Sequence, residues 1–317
     1  MIAVLFPTLL TLTLSSSSPA KPLNTNDAVR KATIAILQKQ CEEVMGWSWY
    51  QNENKARANL GGVISVALLE SYKLDPQPSV WVTLNQYATH LRKIYLDKKI
   101  TPFKADIEFL AKFAKMFNDK NAISLSKSLF ERIRTISPNG RDEFKRIATA
   151  RANLPQLIGY EVSLGIRAAH ALNEMTYANA LADATLHNNA VAIDNGNDSY
   201  QVLSAGAFLY ALSILQKKSY TKTMQHLARH LEALQGNNGS WALNDTQATA
   251  YALMGLHGAK RYIESQEIIN KARKWLLTSQ LKDGSWGTYH DGLPEPFVGE
   301  SITLVQAETL RALLSGI

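Results

Sequence analysis

Cysteine is almost missing from this chain, since Cys41 is the only one among 317 residues. A single thiol excludes an intrachain disulfide and any metal site built from several thiolates. Cys41 falls within the apolar-periodic stretch 35–44, so we expect a buried, unreactive thiol on a helix. We predict no bound metal and no other cofactor.

Long apolar runs are also scarce. The exception is Ile2–Leu14, which is followed by Ser18 and Ala20, two small residues suitably placed before a cleavage site. The run is too short to span a bilayer comfortably. We therefore predict a signal peptide at residues 1–20 and a single domain at residues 21–317. The expected protein is exported, periplasmic or secreted, and has no transmembrane segment.

Acidic residues are fewer than basic ones, with 27 Asp and Glu against 34 Lys and Arg, for a net charge of +7. Basic residues cluster loosely at 92–99 and 141–151. Such an excess attracts anionic polymers or a membrane surface, although it is more often an ordinary solvated surface. No nucleic-acid-binding motif is present, so we expect no nucleic-acid partner. The sequence does not indicate an oligomeric state.

A short sequence motif, Gly-Ser-Trp, recurs near the C-terminus. Gly239-Ser240-Trp241 and Gly284-Ser285-Trp286 lie 45 residues apart, each after an amphipathic stretch and before an alanine-rich one. A period of this size with two helices per unit is typical of a helical repeat array. Glycine supplies the positive φ of a tight turn, and Trp and Gln can hold the turn in place. We therefore interpret these residues as structural rather than catalytic.

The segment Gln280–Trp286, with Asp283 before the glycine, resembles the QW repeat of terpenoid cyclases and prenyltransferase-type toroids. Gln235–Trp241 is a looser copy with Asn238 in place of the aspartate, and Gly46-Trp47-Ser48-Trp49 is a weaker one. The resemblance implies an α/α toroid with inner helices around a central cavity. The resemblance does not imply the cyclase reaction, because the Asp-x-Asp-Asp motif that supplies the catalytic acid of those enzymes is absent. The single cysteine also argues against zinc-dependent prenyltransferases and lanthipeptide-type cyclases.

Apolar periodicity predicts an all-α fold of six helical hairpins, an (α/α)6 toroid. The predicted outer helices are Asp27–Met45, Ser79–Leu96, Ala122–Thr135, Tyr177–His187, Thr221–Leu234 and Tyr262–Ser279. The predicted inner helices are Ala56–Tyr72, Pro102–Phe117, Leu154–Leu172, Ser199–Leu215, Thr246–Leu256 and Ser301–Leu314. A short extra helix, Asp142–Ala150, interrupts the third unit. Small residues recur on the inner helices, which would let them pack closely.

In such a ring, the loops that enter the inner helices surround one mouth of the cavity. Converging helix N-termini make this mouth favourable for anionic groups. Our candidate ligand-binding residues are Trp49, Arg57, Asp194, Tyr200 and His290, and Arg151 belongs to the same rim. Asp198 and Asp245 stand where N-caps belong, and Asn244 with Gln247 resembles a capping box. We identify no catalytic set.

Two loops carry the candidate chemistry. The loop around Asp194-Asn195-Gly196 is somewhat similar to the Asp-Asn-Gly loop of α/α-toroid pectate lyases. A lyase needs a base and a cation that stabilises the enolate, roles open to Asp194 or Tyr200 with Arg57 or Arg151. His290, in the long loop 287–299, either belongs to a lid over the cavity or lies in a solvated connector.

Three functions remain open from the sequence. The preferred one is an exported toroid that binds a small lipid, isoprenoid or carbohydrate ligand in its cavity. The first alternative is a carbohydrate-active enzyme, a lyase or hydrolase of an acidic polysaccharide. The second is a structural docking module of the cell envelope. Whether the protein is an enzyme is not decided by these residues.

Overall fold

The structure, a computed structural model, describes residues 24–41, 46–48, 60–191, 198–263, 266–287 and 302–317. These residues form thirteen α-helices and one antiparallel pair of short strands, β1 (Gln40–Cys41) and β2 (Gly46–Trp47). No helix in these ranges is both long enough and apolar enough to cross a membrane. The predicted signal peptide lies outside the described residues.

Six helices form an inner ring: α2 (Gly61–Leu74), α4 (Lys104–Phe117), α7 (Ile158–Ala171), α9 (Ser199–Leu215), α11 (Thr246–Gly258) and α13 (Thr303–Leu314). Each packs on the next, and α13 packs back on α2, so the ring closes. The outer layer holds α1 (Thr25–Leu37), α3 (Pro78–Ile94), α5 (Lys120–Ile136), α8 (Met175–His187), α10 (Thr221–Leu234) and α12 (Gln266–Thr278). The predicted all-α (α/α)6 toroid is confirmed.

One helix does not belong to the regular alternation of outer and inner helices. Helix α6 (Gly140–Ala150) follows α5 and packs against α8 and α7. Asn139 caps it by accepting hydrogen bonds from the backbone N–H groups of Arg141 and Asp142. Gly140 sits against the backbone of α8, where a Cβ would lie 2.3 Å from the backbone oxygen of Tyr177. The predicted extra helix therefore exists, and it bridges two neighbouring hairpins.

Small residues allow a close contact between two inner helices, α9 and α11. A Cβ on Gly206 of α9 would lie 2.5 Å from the backbone of Tyr251 on α11. A Cβ on Gly255 would lie 2.6 Å from the carbonyl oxygen of Gly206. Only glycine allows two helix backbones to approach this closely. The predicted role of small residues on the inner helices is confirmed for this pair.

The recurring turns use one hydrogen-bond arrangement. Gly239 and Gly284 have φ of +96° and +91°, the left-handed region that favours glycine. Trp241 and Trp286 are completely buried, and their indole N–H groups donate to the carbonyls of Leu231 and Leu276 at 2.7 Å. Trp47 repeats the contact by donating to the carbonyl of Ile36 at 3.1 Å. Each indole is thus bound to the outer helix that precedes it in its own hairpin.

The glutamines of these turns reach the neighbouring hairpin. Gln235 Nε2 donates to the carbonyl of Gly239 at 3.1 Å and to that of Ile268 on α12 at 2.9 Å. Gln280 Nε2 donates to the carbonyl of Gly284 at 2.9 Å and to that of Ala28 on α1 at 2.9 Å. The second bond joins the last turn to the first helix, so the same contact that links two hairpins also closes the ring.

Three local predictions were wrong. The first outer helix ends at Leu37 instead of continuing to Met45, and residues 40–41 pair with 46–47 as strands. Cys41 is therefore buried on a strand, not on a helix. Asn244 and Gln247 do not form a capping box. Asp245 caps α11 through the backbone N–H of Ala248, while Gln247 Nε2 donates to Glu308 on α13 at 2.6 Å.

Replacing Trp286 with alanine should lower the free energy of unfolding by about 3–5 kcal/mol, because a fully buried aromatic and its hydrogen bond are both lost. Trp81 is 43% exposed on α3, so Trp81→Ala is the matched control, with an expected change of about 0.5 kcal/mol or less. Chemical denaturation measures both. Equal stability losses in the two variants would contradict the structural role of Trp286.

Candidate functional site

A cavity of about 540 Å³ opens at the N-terminal mouth, the end of the ring where the inner helices begin. Its lining includes Lys104, Leu157, Tyr200, Gln247 and Leu304, all in the first turns of inner helices or next to them. Partial positive charge from these helix ends therefore adds up around the opening. The prediction that a cavity lies at this mouth agrees with the structure.

Much of the wall is aliphatic. Apolar side chains from the inner helices and their approaches line it, including Leu60, Val63, Leu164, Leu203, Ile302 and Val305. Such surface contacts the carbon face of a ligand, while a few polar groups fix its orientation.

One side of the opening carries a cationic wall, formed by Lys104, Arg146 and Arg151 with the carboxylates of Glu143 and Glu161. Lys104 Nζ lies 2.7 Å from Glu143 Oε1, and Arg146 binds the same carboxylate through Nε at 2.9 Å and Nη2 at 2.7 Å. Arg151 pairs with Glu161. Three cations therefore face two carboxylates, leaving one unit of positive charge in excess.

Burial differs between the members of this wall. The Glu143 side chain is 1% exposed, whereas those of Arg146 and Arg151 are 44% and 36% exposed. Burial raises the pKa of Glu143, but the Arg146 hydrogen bonds and the Lys104 charge outweigh it and bring the pKa down to about 2. The carboxylate is thus a fixed anchor inside the protein that holds two cations at the cavity edge.

Tyr160 and Gln247 form the floor of the cavity, and a buried carboxyl group beneath them accepts their hydrogen bonds. Glu308 of α13 is fully buried and accepts from the hydroxyls of Tyr160 at 3.1 Å and Tyr251 at 2.6 Å, and from Gln247. Burial raises the pKa of Glu308 although these three donors oppose the change. Burial and the nearby Glu308 charge raise the pKa of Tyr160 well above its usual value. Tyr160 and Gln247 line the cavity. Glu308 does not line it, but its hydrogen bonds hold these two side chains in place.

Below this floor, an axial cluster of ion pairs fills the ring: Glu70, Glu108, Lys112, Arg167 and Arg311. Arg167 Nη2 lies 2.6 Å from Glu108 Oε2, and Arg311 Nε lies 2.9 Å from Glu70 Oε2. Lys112 Nζ contacts Glu108 at 2.8 Å and Glu70 at 3.0 Å. Arg167, Glu108 and Arg311 are at most 2% exposed, so the cluster closes the axis beneath the cavity.

Of the five candidate ligand residues, only Tyr200 lies within the described ranges, and it lines the cavity. Burial, followed by the charges of Asp198 and Asp245, raises its pKa, so its hydroxyl stays protonated. Trp49, Arg57, Asp194 and His290 lie outside the described residues and stay predictions. Arg151 lies at this rim as expected, and Asp198 is an N-cap that accepts from the backbone N–H groups of Tyr200 and Gln201.

Sequence reasoning missed Lys104, Arg146, Tyr160, Gln247 and Glu308. In the sequence, Gln247 resembles part of a capping box, and Arg146 is one of the loosely clustered basic residues at 141–151. Glu308 lies on the inner face of an alanine-rich apolar helix, where a charged residue is unusual unless paired. Glu308 on this apolar helix is the sequence signal for a polar floor. Within the described ranges, no group of three or more His, Cys, Asp and Glu side chains could hold a metal ion.

Comparison with known proteins agrees with the fold. Residues 181–316 match the sequence profile of the squalene-hopene cyclase C-terminal domain. The matched segment is less than half of the chain. Two similar solved structures are glycosidases by name. An inactive variant of an α-1,6-mannanase from Salegentibacter sp., with α-1,6-mannotetrose bound, has a TM-score of 0.63 at 8% identity, covering 92% of this chain and 98% of that chain. The unsaturated glucuronyl hydrolase of Streptococcus agalactiae has a TM-score of 0.62 at 11% identity, covering 94% and 93%.

A third similar structure is described as a possible member of glycoside hydrolase family 105 from Salmonella enterica serovar Paratyphi A. It has a TM-score of 0.61 at 12% identity and covers 98% of both chains. At these identities the likeness establishes a shared fold. The inactive mannanase has two consecutive aspartates replaced, and the present sequence contains no two consecutive aspartates.

Low pH should lower the free energy of unfolding, because Glu143 becomes protonated and loses its ion pairs. The pKa of Glu143 is lowered from 4.5 to about 2 in the folded state, so its stabilisation is fully present above about pH 4.5 and is lost as the pH falls towards 2. Glu143→Gln should lower the free energy of unfolding at pH 7 by on the order of 3 kcal/mol. The difference from the unmodified protein should shrink to about 1 kcal/mol at pH 2.5, which is still just above the pKa of Glu143 in the folded state.

Denaturant titrations at several pH values measure this effect. Glu131→Gln is the control, because Glu131 is exposed on α5 and pairs only with the exposed Arg134 among the described residues. A gap between Glu143→Gln and the unmodified protein that stays constant with pH would contradict the role of the Glu143 charge.

Proposed function

We propose that the cavity at the N-terminal mouth binds an acidic carbohydrate, and that the chain is a carbohydrate-active protein. The cationic wall is the observation that carries the proposal, because it places positive charge in excess beside a cavity of small-molecule size. The carbohydrate-active enzymes among the similar structures support it at the level of the fold alone.

The wall suits a carboxylate ligand. The Arg146 and Arg151 guanidinium groups are partly exposed, and a guanidinium binds a carboxylate through two parallel hydrogen bonds. Because Lys104 and Arg146 share the single carboxylate of Glu143, an incoming carboxylate would complete their charge balance. A uronate-containing saccharide carries such a group at each acidic sugar.

The remaining lining suits a sugar ring. Tyr160 and Tyr200 offer aromatic faces and protonated hydroxyls, and Gln247 offers an amide. These groups can stack on the apolar face of a sugar and bind its hydroxyls, in the pattern usual for small-molecule sites. If the protein also cleaves its ligand, Tyr160 supplies a protonated hydroxyl at the cavity floor, and Glu308 accepts the hydrogen bond that positions it.

The aliphatic wall favours a second candidate, an isoprenoid or lipid ligand. Leu60, Val63, Leu164, Leu203 and Val305 present continuous apolar surface to the cavity. An isoprenoid would bury its chain there and would need no cation for a neutral head.

The apolar segment at residues 2–14 remains our reason for proposing that the protein is exported.

Isothermal titration with tetragalacturonate, mannotetraose and farnesol distinguishes the two candidates. Tetragalacturonate should bind tightest, and its affinity should fall with added salt because the wall is charged. Arg151→Gln should weaken its binding at least about tenfold, the cost of a lost charge-assisted hydrogen bond. Tyr200→Ala, Arg57→Ala and Asp194→Ala should also weaken it while changing the melting temperature little.

Arg134→Gln is the control, because it removes an arginine from the outside of the ring. Its affinity for tetragalacturonate should equal that of the unmodified chain. Preferential binding of farnesol would favour the lipid candidate. Equal affinity for tetragalacturonate and mannotetraose, or no effect of Arg151→Gln, would overturn the acidic-carbohydrate proposal.

A further inference from the structure

A second cavity of about 310 Å³ opens at the C-terminal mouth, the end of the ring where the inner helices finish. Glu70, Lys73, Tyr210, Met254, Arg311 and Leu314 are part of its lining. The axial cluster lies between it and the first cavity, so a molecule in one cavity does not contact a molecule in the other. Its volume falls at the lower end of the range for small-molecule sites.

Arg311 lines this cavity and carries a buried donor without a partner in the described part of the chain. It is 2% exposed, its Nε and Nη2 bind Glu70 at 2.9 and 3.0 Å, and its Nη2 lies 3.6 Å from Glu108. Its Nη1 is buried and has no hydrogen-bond acceptor among the described residues. A buried donor on a charged group is costly to leave unpaired, so Nη1 marks a position for an acceptor from outside the protein.

The charge around Arg311 is positive, which favours an anionic acceptor. The axial cluster contains three cations and two carboxylates, and Lys73 adds another positive charge at the rim. Burial raises the pKa of Glu70, but the charges of Arg311 and Lys112 bring it down to about 2, so it is already counted as an anion. The carbonyl ends of the inner helices balance part of this excess, but they leave Nη1 without an acceptor.

We propose that the C-terminal mouth is a second binding site, specific for a small molecule with a carboxylate group. Arg311 Nη1 donates to that carboxylate, and Lys73 supplies its second positive contact. The Tyr210 ring, whose centre lies 6.0 Å from Arg311 Cζ, forms the side wall. This proposal is independent of the carbohydrate proposed for the N-terminal mouth.

Acetate and its neutral analogue acetamide test the site in the full chain at constant ionic strength. Acetate should bind saturably in calorimetric titration and shift the side-chain Nε signal of Arg311 in NMR spectra, whereas acetamide should do neither. Lys73→Gln should weaken acetate binding about two- to fivefold, as expected for a rim charge. Arg311→Lys should weaken it at least about tenfold.

Lys127→Gln on α5 is the matched control, since Lys127 is exposed and lies on the outer layer. In Arg151→Gln, acetate should still shift the Arg311 Nε signal with the same affinity, because this substitution removes a cation from the first mouth only. If Arg311→Lys does not fold, Lys73→Gln and the Arg311 signal still decide the question. Equal binding of acetamide, no saturation with acetate, or an unchanged affinity in Lys73→Gln would overturn the proposal.

Discussion

The ring depends on one buried carboxylate at its centre. Glu108 of α4 is 1% exposed and lies 2.6 Å from Arg167 of α7, 2.8 Å from Lys112 and 3.6 Å from Arg311 of α13. Burial raises its pKa, and the charges of these three cations lower it far more. Removing one partner of such a group typically costs about 3–5 kcal/mol, because an uncompensated charge stays buried. The same cluster closes the axis and so separates the cavity at the N-terminal mouth from the cavity at the C-terminal mouth.

Around this centre, the peripheral turns hold the hairpins in a circle. Gln235 and Gln280 make the same pair of bonds, one within their own turn and one to the next outer helix. For Gln280 the next helix is α1, more than two hundred residues earlier in the chain. A closed ring needs no capping repeat at its ends, unlike an open solenoid, because each hairpin buries its faces against two neighbours.

The candidate site depends on the part of the ring that breaks the repeat. Helix α6 brings Glu143 and Arg146 to the N-terminal mouth, and Arg151 follows directly after it. Inserted elements of this kind often distinguish the functions of proteins that share a fold, while the fold itself carries little functional information. The mannanase and glucuronyl hydrolase that resemble this chain in structure have only 8% and 11% of its residues in common.

The sequence by itself determined the architecture, because helix periodicity and the Gly-Ser-Trp turns are local signals that recur at a fixed spacing. It also indicated which mouth gathers polar residues, with Tyr200 and Arg151 among them. Only the tertiary structure decided that Lys104 and Arg146 share Glu143, and that Gln247 binds Glu308 instead of capping a helix. Lys104 and Glu143 lie tens of residues apart on different helices, and so do Gln247 and Glu308. Their contact follows from how the ring closes, which no local pattern encodes.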